Sequence, residues 1–500
     1  MGDMSPSCSW STQSFLCATS PAPLSCSFSL PVEDPFELYV RLTDCVPSSF
    51  LLESGGSNPQ LAHYSFIGCD PYQTFSAKGS EYEVKTGDHT VQGLGDTFSI
   101  FSDLLSSNRY TRTPNLPPFL GGAVGLFSYD MVRQFEQLPE LAISDLDVPD
   151  MFFMFVDVFA AIDHKAQLLH LVFAPDPRRW ASDSRDQLAR EGKERLLDWQ
   201  AKLTRRDNQF LREFRFPHVS IPHLESQQSR RAYSERVQHC QSFIAAGDIY
   251  QANISHRFRV EDIVELPADH SVQGAHWYQR IRTINPSPFS ALMILESCTI
   301  VSNSPERLVR LDGQQAEIRP IAGTCPRGST VSEDRRLIEK LRASPKERAE
   351  HLMLVDLARN DLGRVCQYGT VFAEQFMTVE RYSHVSHLVS NISGCLRDDL
   401  TACDVLRASF PGGTITGVPK VHCMEVIEQL EPVRRGVYTG SLGYMSWTGD
   451  MDMNILIRTL LLTPGQGYLQ VGAGIVADSH PSHEYDETVH KAKAFLQAFQ

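Results

Sequence analysis

The chain has 500 residues, of which 42% are hydrophobic and 21% charged, which is the composition of an ordinary globular protein. Its formal net charge is −14 and no run of basic residues offsets it, so we expect neither nucleic acid nor a membrane surface as a partner. No apolar stretch reaches the roughly 18 residues that a membrane-spanning helix needs. The length allows about two to four domains.

Residues 1–26 are rich in Ser, Pro and Cys and lack the basic start and continuous apolar core of a signal peptide. We therefore expect a disordered tail there. The chain contains 12 cysteines without CxxC spacing. In a protein of this size, that pattern predicts reduced, mostly buried thiols and a cytoplasmic location.

Residues 27–205 form a first region, in which short apolar runs alternate with turn signals, as is typical of strands. The runs are at 47–55, 63–70, 119–130 and 152–164. A polar helix is predicted at 183–203, and the charged segment at 205–228 has the character of a linker.

Residues 228–500 form a second region with stronger signals. A helix is predicted at 229–248, and an alternating strand follows at 249–260. A glycine-bearing loop at 410–432 leads into a helix, with Pro419 as an early helical residue. Further strands are predicted at 291–313, 437–447, 451–462 and 467–479. Because strands and helices mix without regular βαβ alternation, the predicted fold class is α+β.

The segment at 344–364 predicts a helix with a sharp start. Ser344 can cap it, Pro345 suits the first helical position, and Glu347 stands where a capping box has its acid. Glu347 and Glu350 are three residues apart and so share one face, which makes them a possible site for a hard cation. A satisfied cap explains Glu347 equally well, whereas Glu350 has no capping role.

A second acidic pair lies on the predicted C-terminal helix at 482–499. Glu484 and Glu487 are again three apart, although Glu487 and Lys491 could simply form an i, i+4 ion pair on a solvated face. Taken together, the two matched pairs suggest two helices that present carboxylates to one shared Mg2+, an ion that prefers oxygen ligands.

Other residues could bind an anionic ligand. The loop at 412–414 precedes a helix and could offer backbone N–H groups, although a plain connection would look the same. Lys420 and Arg458 could bind carboxylates. Arg458 lies in an apolar segment and needs a partner, which a ligand carboxylate or a structural Asp would supply equally well. Gly472 and Gly474 would let a ligand approach the backbone.

Two histidines and one glutamate are further candidates. His384 and His387 are three apart, but no cysteine or HExxH pattern accompanies them, so partly buried histidines explain them better than a zinc site. Glu306 follows Pro305 and could be a general acid or a surface charge. The residues themselves thus indicate a magnesium enzyme that acts on a small carboxylated substrate.

Longer motifs connect the chain to a known family. In the second region they are RPIAGT (319–324), EHLMLVDLARNDLGRV (350–365), ERYSHVSHLVS (380–390), FPGGTITGVPK (410–420), LEPVRRGVYTGSLGY (430–444), GAGIVADS (472–479) and EYDE (484–487). In the first region they are LLES (51–54), YSFIG (64–68) and FLGGAVGLFSYD (119–130). In this order they resemble the chorismate-utilising enzymes, namely the large subunits of anthranilate synthase and aminodeoxychorismate synthase and, more distantly, isochorismate synthases.

The resemblance implies an α+β fold of two large antiparallel β-sheets with surrounding helices, in which the two sequence regions intertwine. The region at 27–205 would be its N-terminal part, and 228–500 would carry the chorismate-binding catalytic part. The segment between them therefore need not separate independent bodies.

The resemblance also implies a metal site. Glu350 and Glu487 match the magnesium ligands of the family, with Glu347 and Glu484 in support. The ion would hold the ring carboxylate of chorismate and favour loss of the hydroxyl at C4.

The same motifs imply further roles. Glu306 resembles the acid–base group beside that hydroxyl, His387 resembles the histidine beside the ring, and Thr324 completes the catalytic group. The implied substrate-binding residues are Ala322, Thr414, Tyr438, Arg458, Gly472, Gly474 and Lys491. Of these, Tyr438, Arg458 and the two glycines would bind the enolpyruvyl carboxylate.

Two reactions compete for this chain. Many aminodeoxychorismate synthases have a lysine where this chain has Ala322, as anthranilate synthases do, although some aminodeoxychorismate synthases also have alanine. The segments around Asn253 and Asn454 resemble those of aminodeoxychorismate synthases, which add nitrogen at C4 and keep the enolpyruvyl group. Anthranilate synthases add nitrogen at C2 and expel pyruvate. The resemblance favours C4 amination, which serves 4-aminobenzoate and folate biosynthesis, over the tryptophan pathway.

Both reactions need ammonia. The chain has no GxCxG nucleophile elbow of the kind that glutaminases use. The resemblance therefore implies a separate glutamine amidotransferase subunit as a partner.

Glu53, Ser54 and Pro286 resemble the tryptophan pocket of the family, which would make bound tryptophan another partner. Packing of the N-terminal sheet would explain these residues as well. A non-catalytic, tryptophan-binding regulatory subunit is the alternative from another class of protein, and the intact Glu306 and Glu487 argue against it.

Overall fold

The computed structural model of the protein describes residues 9–55, 63–106, 110–204, 223–261, 270–284, 286–381 and 385–496. Over these residues the chain forms an α+β fold of two large antiparallel β-sheets with helices around them, which confirms the predicted fold class. Within the described residues one sheet has 13 strands and the other has 12.

The strands, numbered in chain order, are β1 (Ser9–Trp10), β2 (Leu24–Ser29), β3 (Ser49–Glu53), β4 (Tyr64–Gly68), β5 (Gln73–Lys78), β6 (Glu81–Thr86), β7 (His89–Leu94), β8 (Gly122–Phe127), β9 (Met151–Val156), β10 (Val158–Asp163), β11 (Leu168–Phe173), β12 (Leu224–Ser226), β13 (Gln251–Val260), β14 (Phe289–Ile294), β15 (Thr299–Ser304), β16 (Arg307–Asp312), β17 (Gln315–Ile318), β18 (Ile321–Pro326), β19 (Phe372–Arg381), β20 (Val385–Cys395), β21 (Gly417–Val418), β22 (Ser441–Ser446), β23 (Met451–Asn454), β24 (Thr459–Thr463) and β25 (Gln466–Ile475). The helices are α1 (Thr12–Cys17), α2 (Pro35–Thr43), α3 (Thr97–Ser106), α4 (Pro177–Ser182), α5 (Arg185–Thr204), α6 (Arg230–Ala246), α7 (His270–Ile284), α8 (Val331–Ala343), α9 (Pro345–Gly363), α10 (Ala402–Ser409), α11 (Lys420–Leu430) and α12 (Pro481–Leu496).

Both sheets draw strands from both sequence regions. The first sheet runs β1-β2-β11-β10-β4-β3-β14-β15-β24-β25-β13-β12, with β21 beside β13. The second runs β18-β20-β17-β16-β23-β22-β8-β9-β5-β6-β7, with β19 beside β20. Leu51 lies opposite Leu292 in the first sheet, and Gly125 lies opposite Gly443 in the second. The two regions therefore share both sheets rather than folding side by side.

The main core lies between the two sheets. Phe50 of the first sheet and Phe127 of the second are fully buried in one cluster. A second cluster covers the other face of the first sheet, where Trp277 of α7 and Phe495 of α12 pack. Burying one such aromatic side chain stabilises the fold by about 1.5–3 kcal/mol. Because the first sheet is covered on both faces, its strands β10, β14 and β24 are almost entirely buried.

The prediction of a disordered tail at 1–26 is wrong from residue 9 onward. Strands β1 and β2 pair at the edge of the first sheet, and α1 lies between them in sequence. Phe15 is fully buried and meets the Trp180 ring edge-on at 5.1 Å between centroids. One buried aromatic residue in a Ser-rich segment produces no periodic pattern, so the composition of this segment wrongly indicated disorder. Residues 1–8 lie outside the described part of the chain.

Most cysteines are reduced and buried, as the sequence predicted, with one exception. Among the described residues, ten cysteines are free and eight of these are buried. Cys26 is disulfide-bonded, so the prediction of reduced thiols is wrong at that position.

Most of the predicted linker, 205–222, lies outside the described residues, and the rest contributes β12 to the sheet edge. No helix in the described ranges is long and apolar enough to cross a membrane.

The strand predicted at 451–462 is in fact two strands in different sheets. β23 ends at Asn454 in the second sheet, and β24 begins at Thr459 in the first. The chain crosses between the sheets through Arg458, whose φ of 51° is in the left-handed region. The uninterrupted apolar run concealed this crossing. Pro419 is also misassigned, because it precedes α11 with an extended backbone instead of forming its first turn.

Candidate active site

The candidate catalytic residues are distant in sequence, and the fold brings them together. Glu306 stands between β15 and β16, and its carboxylate accepts a hydrogen bond from Thr414 Oγ1 at 2.8 Å. Thr324 on β18 lies opposite His387 on β20, and their side chains share a hydrogen bond of 2.8 Å. The charge of Arg458 affects the pKa of both Glu306 and His387. These five predicted residues therefore belong to one site.

Glu306 is buried and firmly placed, with only 8% of its surface exposed. Its backbone N–H donates to Ser304 Oγ at 3.3 Å, and its carbonyl accepts from the Ile455 N–H at 3.0 Å. Burial raises the pKa of its carboxyl to about 7, against the opposing effects of Thr414 and Arg458. A group that titrates near neutral pH suits general acid–base catalysis. The alternative of a surface charge is therefore excluded.

His387 is a neutral imidazole at pH 7. Burial, and then the charge of Arg458, lower its pKa to about 4. Its Nδ1 is hydrogen-bonded to Thr324 Oγ1, so the ring orientation is fixed. The imidazole can orient a ligand by hydrogen bonding, but it is not an acid at neutral pH. The other predicted histidine, His384, lies outside the described residues.

Arg458 offers a cation to the site. No described residue accepts a hydrogen bond from its guanidinium, and the carboxylate whose charge acts on it is Glu306. Its side chain is exposed to solvent, yet burial lowers its pKa, a combination that arises on the wall of a recess. The sequence left a ligand carboxylate and a structural Asp as equal partners. Since no described Asp pairs with it, a ligand carboxylate is the better partner.

The end of β25 forms a wall without side chains. A Cβ at Gly472 would collide with Asn253 Oδ1 and would stand 2.7 Å from the Tyr438 hydroxyl oxygen. The Gly472 carbonyl accepts from Lys491 Nζ at 3.0 Å, and the same ammonium pairs with Glu487 at 2.7 Å. Burial raises the pKa of Tyr438, which keeps its hydroxyl protonated as a donor. The i, i+4 pair considered from the sequence is thus formed, and it lies against this wall.

Gln251 lies beside Gly474 and was missed by sequence reasoning. Its Nε2 donates to Glu350 Oε1 at 3.3 Å, and it would stand 2.8 Å from a Cβ at Gly474. The alternation of β13 could have indicated this residue, because Gln251 and Asn253 share one face of the strand. The amide thus connects Glu350 to the glycine wall.

Helix α9 begins as predicted, after Ser344. The Ser344 side chain accepts from the Glu347 N–H at 3.4 Å, but the Ser344 N–H bonds elsewhere, so the reciprocal half of a capping box is absent. The Glu347 carboxylate instead approaches β18, where Oε2 would stand 3.1 Å from a Cβ at Gly323. His351 Nδ1 is hydrogen-bonded to the Ala322 carbonyl at 3.2 Å. These contacts attach the acidic start of α9 to the strand that carries Thr324.

Two of the four predicted carboxylates reach the end of β25 through a neighbouring side chain, Glu350 through Gln251 and Glu487 through Lys491. Burial raises the pKa of Glu350, and the charge of Glu347 raises it further; burial and Glu487 do the same for Glu484. Within the described residues, no group of three potential ligands is close enough to hold a metal by itself. Carboxylate oxygens are nevertheless the type of ligand that Mg2+ takes, usually one or two of them together with several waters.

Lys420 has a structural role. Its Nζ donates to Asp361 Oδ2 at 2.7 Å and to the Ser409 carbonyl at 3.1 Å, and both residues are buried. The prediction that Lys420 could bind a ligand carboxylate is therefore wrong. The loop before it reaches the site through the Thr414 hydroxyl, which meets Glu306.

The residues predicted to bind tryptophan relate to a second cavity, between the sheets. It has a volume of about 660 Å³, and Glu53 and Ser54 line it. Pro286 is not among its lining residues. The Glu53 carboxylate accepts from the Tyr278 hydroxyl at 2.6 Å and from Arg282 Nε at 2.7 Å, so protein groups already satisfy it. The cavity has the size of a small-molecule site.

Comparison with known proteins relates most of the chain to one family. The family model described as chorismate binding enzyme matches residues 48–497. Anthranilate synthase component 1 of Thermus thermophilus is 39% identical over 484 residues, which cover 95% of this chain and 97% of that protein. Aminodeoxychorismate synthase component 1 of Bacillus subtilis is 39% identical over 439 residues, which cover 87% of this chain and 89% of that protein.

Solved structures agree with the sequence relatives. Anthranilate synthase component I from Streptococcus pneumoniae superposes with a TM-score of 0.72 and 30% identity, covering 88% of this chain and 93% of that one. The menaquinone-specific isochorismate synthase of Escherichia coli superposes with a TM-score of 0.68 at 17% identity, covering 98% of each chain, and so shares the fold.

Proposed function

Because the chain belongs to the chorismate binding enzyme family, we propose that it is the chorismate-aminating component of an aminodeoxychorismate synthase. At the coarser level it is a chorismate-converting enzyme of the anthranilate synthase and aminodeoxychorismate synthase type. The proposed reaction replaces the C4 hydroxyl of chorismate by an amino group and keeps the enolpyruvyl group. The product would serve 4-aminobenzoate and folate biosynthesis.

Asn253 is the observation that carries this choice. Its amide stands at the glycine wall, beside the Tyr438 hydroxyl and Gly472. The corresponding motif of anthranilate synthases usually has a valine there. A polar side chain in the pocket can hold a substrate group by hydrogen bonding, which valine cannot do.

Departure of the C4 hydroxyl requires a proton, and Glu306 is the proposed donor. With a pKa of about 7, its carboxyl is protonated in a large fraction of molecules at neutral pH. The C4–O bond breaks as the proton reaches oxygen, and water leaves. Ammonia forms the new C–N bond, and the proton that nitrogen then loses restores the acid. The Thr414 hydroxyl donates a hydrogen bond to the Glu306 carboxyl and so fixes its orientation.

The substrate is a dianion, and the proposed site divides its two carboxylates. Arg458, whose guanidinium has no hydrogen-bond acceptor among the described residues, would bind the enolpyruvyl carboxylate together with the Tyr438 hydroxyl. The neutral His387 would lie beside the ring without adding charge there.

The ring carboxylate is assigned to the acidic side of the site. Glu350 and Glu487 would hold magnesium, with Glu347 and Glu484 nearby. When bound, the ion supplies positive charge that draws electron density from the ring toward that carboxylate. Relatives are named as component 1, which implies a partner subunit. We assign the supply of ammonia to a glutamine amidotransferase in that role.

A second ligand is proposed for the cavity of about 660 Å³. Its lining combines the aromatic Tyr64 and Phe289 with the Arg307–Asp452 ion pair, whose closest atoms are 2.8 Å apart. Apolar walls with both signs of charge suit a zwitterionic aromatic amino acid such as tryptophan.

Anthranilate synthase is the second candidate function, and Ala322 favours it. The carbonyl of Ala322 bonds to His351, and its methyl side chain has no nucleophile with which to attack the ring. Asn454 lends less support to C4 amination than the sequence suggested. Its side chain accepts from the Leu442 N–H and donates to the Phe289 carbonyl, which is a role within the fold.

A product assay separates the candidates. The purified chain would be incubated with chorismate, Mg2+ and an ammonium salt, and the products would be identified by chromatography with mass detection. An aminated product that retains the enolpyruvyl group supports the proposal, and anthranilate supports the second candidate. Turnover of chorismate that survives unchanged in Glu306→Gln would contradict the role of Glu306, and an inactive wild-type chain that binds tryptophan would indicate a regulatory subunit.

A further inference from the structure

One buried arginine, Arg435 in the motif at 430–444, has no role in the scheme above. Only 2% of its surface is exposed. It forms a bidentate ion pair with Glu431, to which its Nε and Nη2 donate at 3.0 and 2.7 Å. A buried ion pair contributes little net stability compared with apolar side chains of the same volume, so stability alone does not account for it.

The guanidinium also donates to three groups outside the ion pair. Nη1 donates to the Ile415 carbonyl at 2.8 Å and to Thr439 Oγ1 at 3.3 Å, and Nη2 donates to the Asn253 carbonyl at 2.6 Å. An arginine side chain has five N–H groups, and here all five are used. One rigid, planar group therefore joins the turn before β21, the loop after α11 and strand β13.

The first of these contacts places a residue that touches the proposed acid. Thr414 directly precedes Ile415, and its hydroxyl donates to the Glu306 carboxylate at 2.8 Å. The same turn is closed by the Thr416 hydroxyl, which donates to the Gly412 carbonyl at 2.8 Å. Because the direction of a hydroxyl follows the backbone that carries it, the hold on the Ile415 carbonyl fixes the Thr414 hydroxyl against Glu306.

The second contact places Tyr438. The Thr439 hydroxyl accepts from Arg435 and donates to the Tyr438 carbonyl at 2.6 Å. The centroid of the Tyr438 ring is 5.7 Å from the guanidinium carbon, which is within the range of a cation–π contact. Thr439 has a φ of 62°, in the left-handed region that β-branched residues avoid. Such strain persists where several contacts fix the backbone, and it is concentrated at functional sites.

We propose that Arg435 is a positioning residue, which sets the Thr414 hydroxyl against Glu306 and the Tyr438 hydroxyl against the glycine wall. It thereby fixes the acid side of the site relative to the side proposed for the enolpyruvyl carboxylate. The role rests on the proposed function, because it assigns Glu306 and Tyr438 to the handling of chorismate. Arg435 acts through these residues and does not itself touch the substrate.

The test measures the rate of chorismate consumption by the full-length protein with Mg2+ and saturating ammonium, at pH values from 5 to 9. Arg435→Lys keeps the charge that Glu431 needs but loses the planar fork. Thr439→Val removes only the link to Tyr438, at nearly constant volume and with the same branching at Cβ. Thr414→Val removes only the hydrogen bond to Glu306.

Arg257→Lys is the matched control. Arg257 is also 2% exposed, and it bonds to Asp145 and Gln227, which have no place in the proposed site. The thermal unfolding midpoint of each variant reports the loss of stability separately from the loss of function.

We expect Arg435→Lys to raise KM for chorismate by about threefold to tenfold. It should also move the alkaline decline of kcat/KM up by about half a pH unit or more, because the hydrogen bond from Thr414 lowers the pKa of Glu306. The charge of Arg458, which also lowers that pKa, is unchanged in this variant.

The two single-link variants should separate these effects. Thr439→Val should raise KM for chorismate by a similar factor of about threefold to tenfold and leave the alkaline decline in place. Thr414→Val should move the decline as Arg435→Lys does. Arg257→Lys should keep both quantities at the wild-type values even if its unfolding midpoint falls.

A purely structural arginine would give a different result. Arg435→Lys would then lower the unfolding midpoint but leave KM and the alkaline decline unchanged, which would overturn the proposal. Equal changes in Arg257→Lys would also overturn it. If Arg435→Lys does not fold, Thr439→Val decides, and a wild-type KM in that variant would refute the link to Tyr438.

The same measurements distinguish this role from the proposed function. If the wild-type chain forms anthranilate, C4 amination is wrong, but the rates of chorismate consumption still decide the role of Arg435. If the wild-type chain consumes no chorismate, the proposed function and the positioning role are both wrong.

Discussion

At the scale of single residues, the environment of a carboxyl decides whether it can act as an acid at neutral pH. Glu306 titrates near pH 7 because burial disfavours its charged form, and Arg458 limits the shift. Burial and the charge of the same arginine lower the pKa of His387. The same arginine thus acts on one acid that can exchange a proton at neutral pH and on one imidazole that stays neutral.

This pKa predicts the pH dependence of catalysis. If Glu306 donates the proton, kcat/KM should fall as pH rises above about 7, because the carboxyl loses the proton that it must give. Glu306→Gln should lower kcat/KM by about 10²–10⁴-fold and remove that decline. Steady-state rates between pH 5 and pH 9 would be compared with Glu339→Gln, a change at an exposed site on α8. An unchanged alkaline decline in Glu306→Gln would contradict the assignment.

The same titration bears on stability, which gives an independent readout for this variant. The folded pKa of about 7 is above the ordinary value of 4.5, so the folded protein holds the proton more tightly than the unfolded chain. The stability contributed by the protonated carboxyl is complete below about pH 4.5 and is lost as pH rises through 7. Relative to wild type, Glu306→Gln should therefore gain up to about 3 kcal/mol between pH 5 and pH 8.

Arg458 is predicted to act both on binding and on the acid. Arg458→Gln should raise KM for chorismate by about tenfold or more, because the enolpyruvyl carboxylate of the substrate loses its cationic partner. It should also move the alkaline decline to higher pH, because the arginine lowers the pKa of Glu306. Arg458→Lys should keep part of both effects. Unchanged KM with an unchanged pH profile would show that the guanidinium faces away from the substrate.

At the scale of elements, two helices bring acidic pairs to one end of a strand. The start of α9 is fixed by the Ser344 cap and α12 by packing of Phe495, and both reach the glycine wall through Gln251 and Lys491. The proposed metal site would thus be assembled from two helices that are distant in sequence.

The metal assignment makes its own prediction. Glu487→Ala should abolish turnover, because it removes one proposed magnesium ligand and frees Lys491 from its ion pair. Calorimetric titration with Mg2+ should show weakened binding in this variant and unchanged binding in Glu339→Ala. Removal of divalent ions by a chelator should stop the wild-type reaction, and added Mg2+ should restore it. Full activity of Glu487→Ala would refute the assignment.

Sequence patterns predicted these elements unevenly. The start of α9 was predictable to the residue, because a cap and a proline are local signals. The crossing at Arg458 was not, because the run 451–462 is apolar in both sheets and only the long-range pairing of β23 and β24 divides it. Gln251 was missed for a similar reason, since its importance comes from Glu350 and Gly474, which lie far along the chain.

At the scale of the whole molecule, both sequence regions build both sheets, and the cavity between the sheets depends on them together. Ser54 comes from the first region and Asp452 from the second, and both line it. The prediction of a disordered tail at 1–26 failed from residue 9 onward, because β1 is paired with β2 and Phe15 packs against Trp180, which is distant in sequence.

The cavity is predicted to bind tryptophan. Saturating tryptophan should raise the unfolding midpoint of the whole chain, since a ligand that binds only the folded state stabilises it by mass action. Differential scanning fluorimetry would compare tryptophan with phenylalanine and alanine. Ala291→Phe, which would fill the cavity from β14, should abolish the shift. A shift that persists in this variant would place the amino acid elsewhere.

The central claim is that the chain aminates chorismate and leaves its enolpyruvyl group in place. Release of pyruvate tests this most directly, and it can be followed with lactate dehydrogenase while the chain reacts with chorismate, Mg2+ and ammonium. We predict that chorismate is consumed without pyruvate until aminodeoxychorismate lyase is added, when pyruvate and 4-aminobenzoate appear in equal amounts. Pyruvate released together with anthranilate before any lyase is present would contradict the claim and make the chain an anthranilate synthase component.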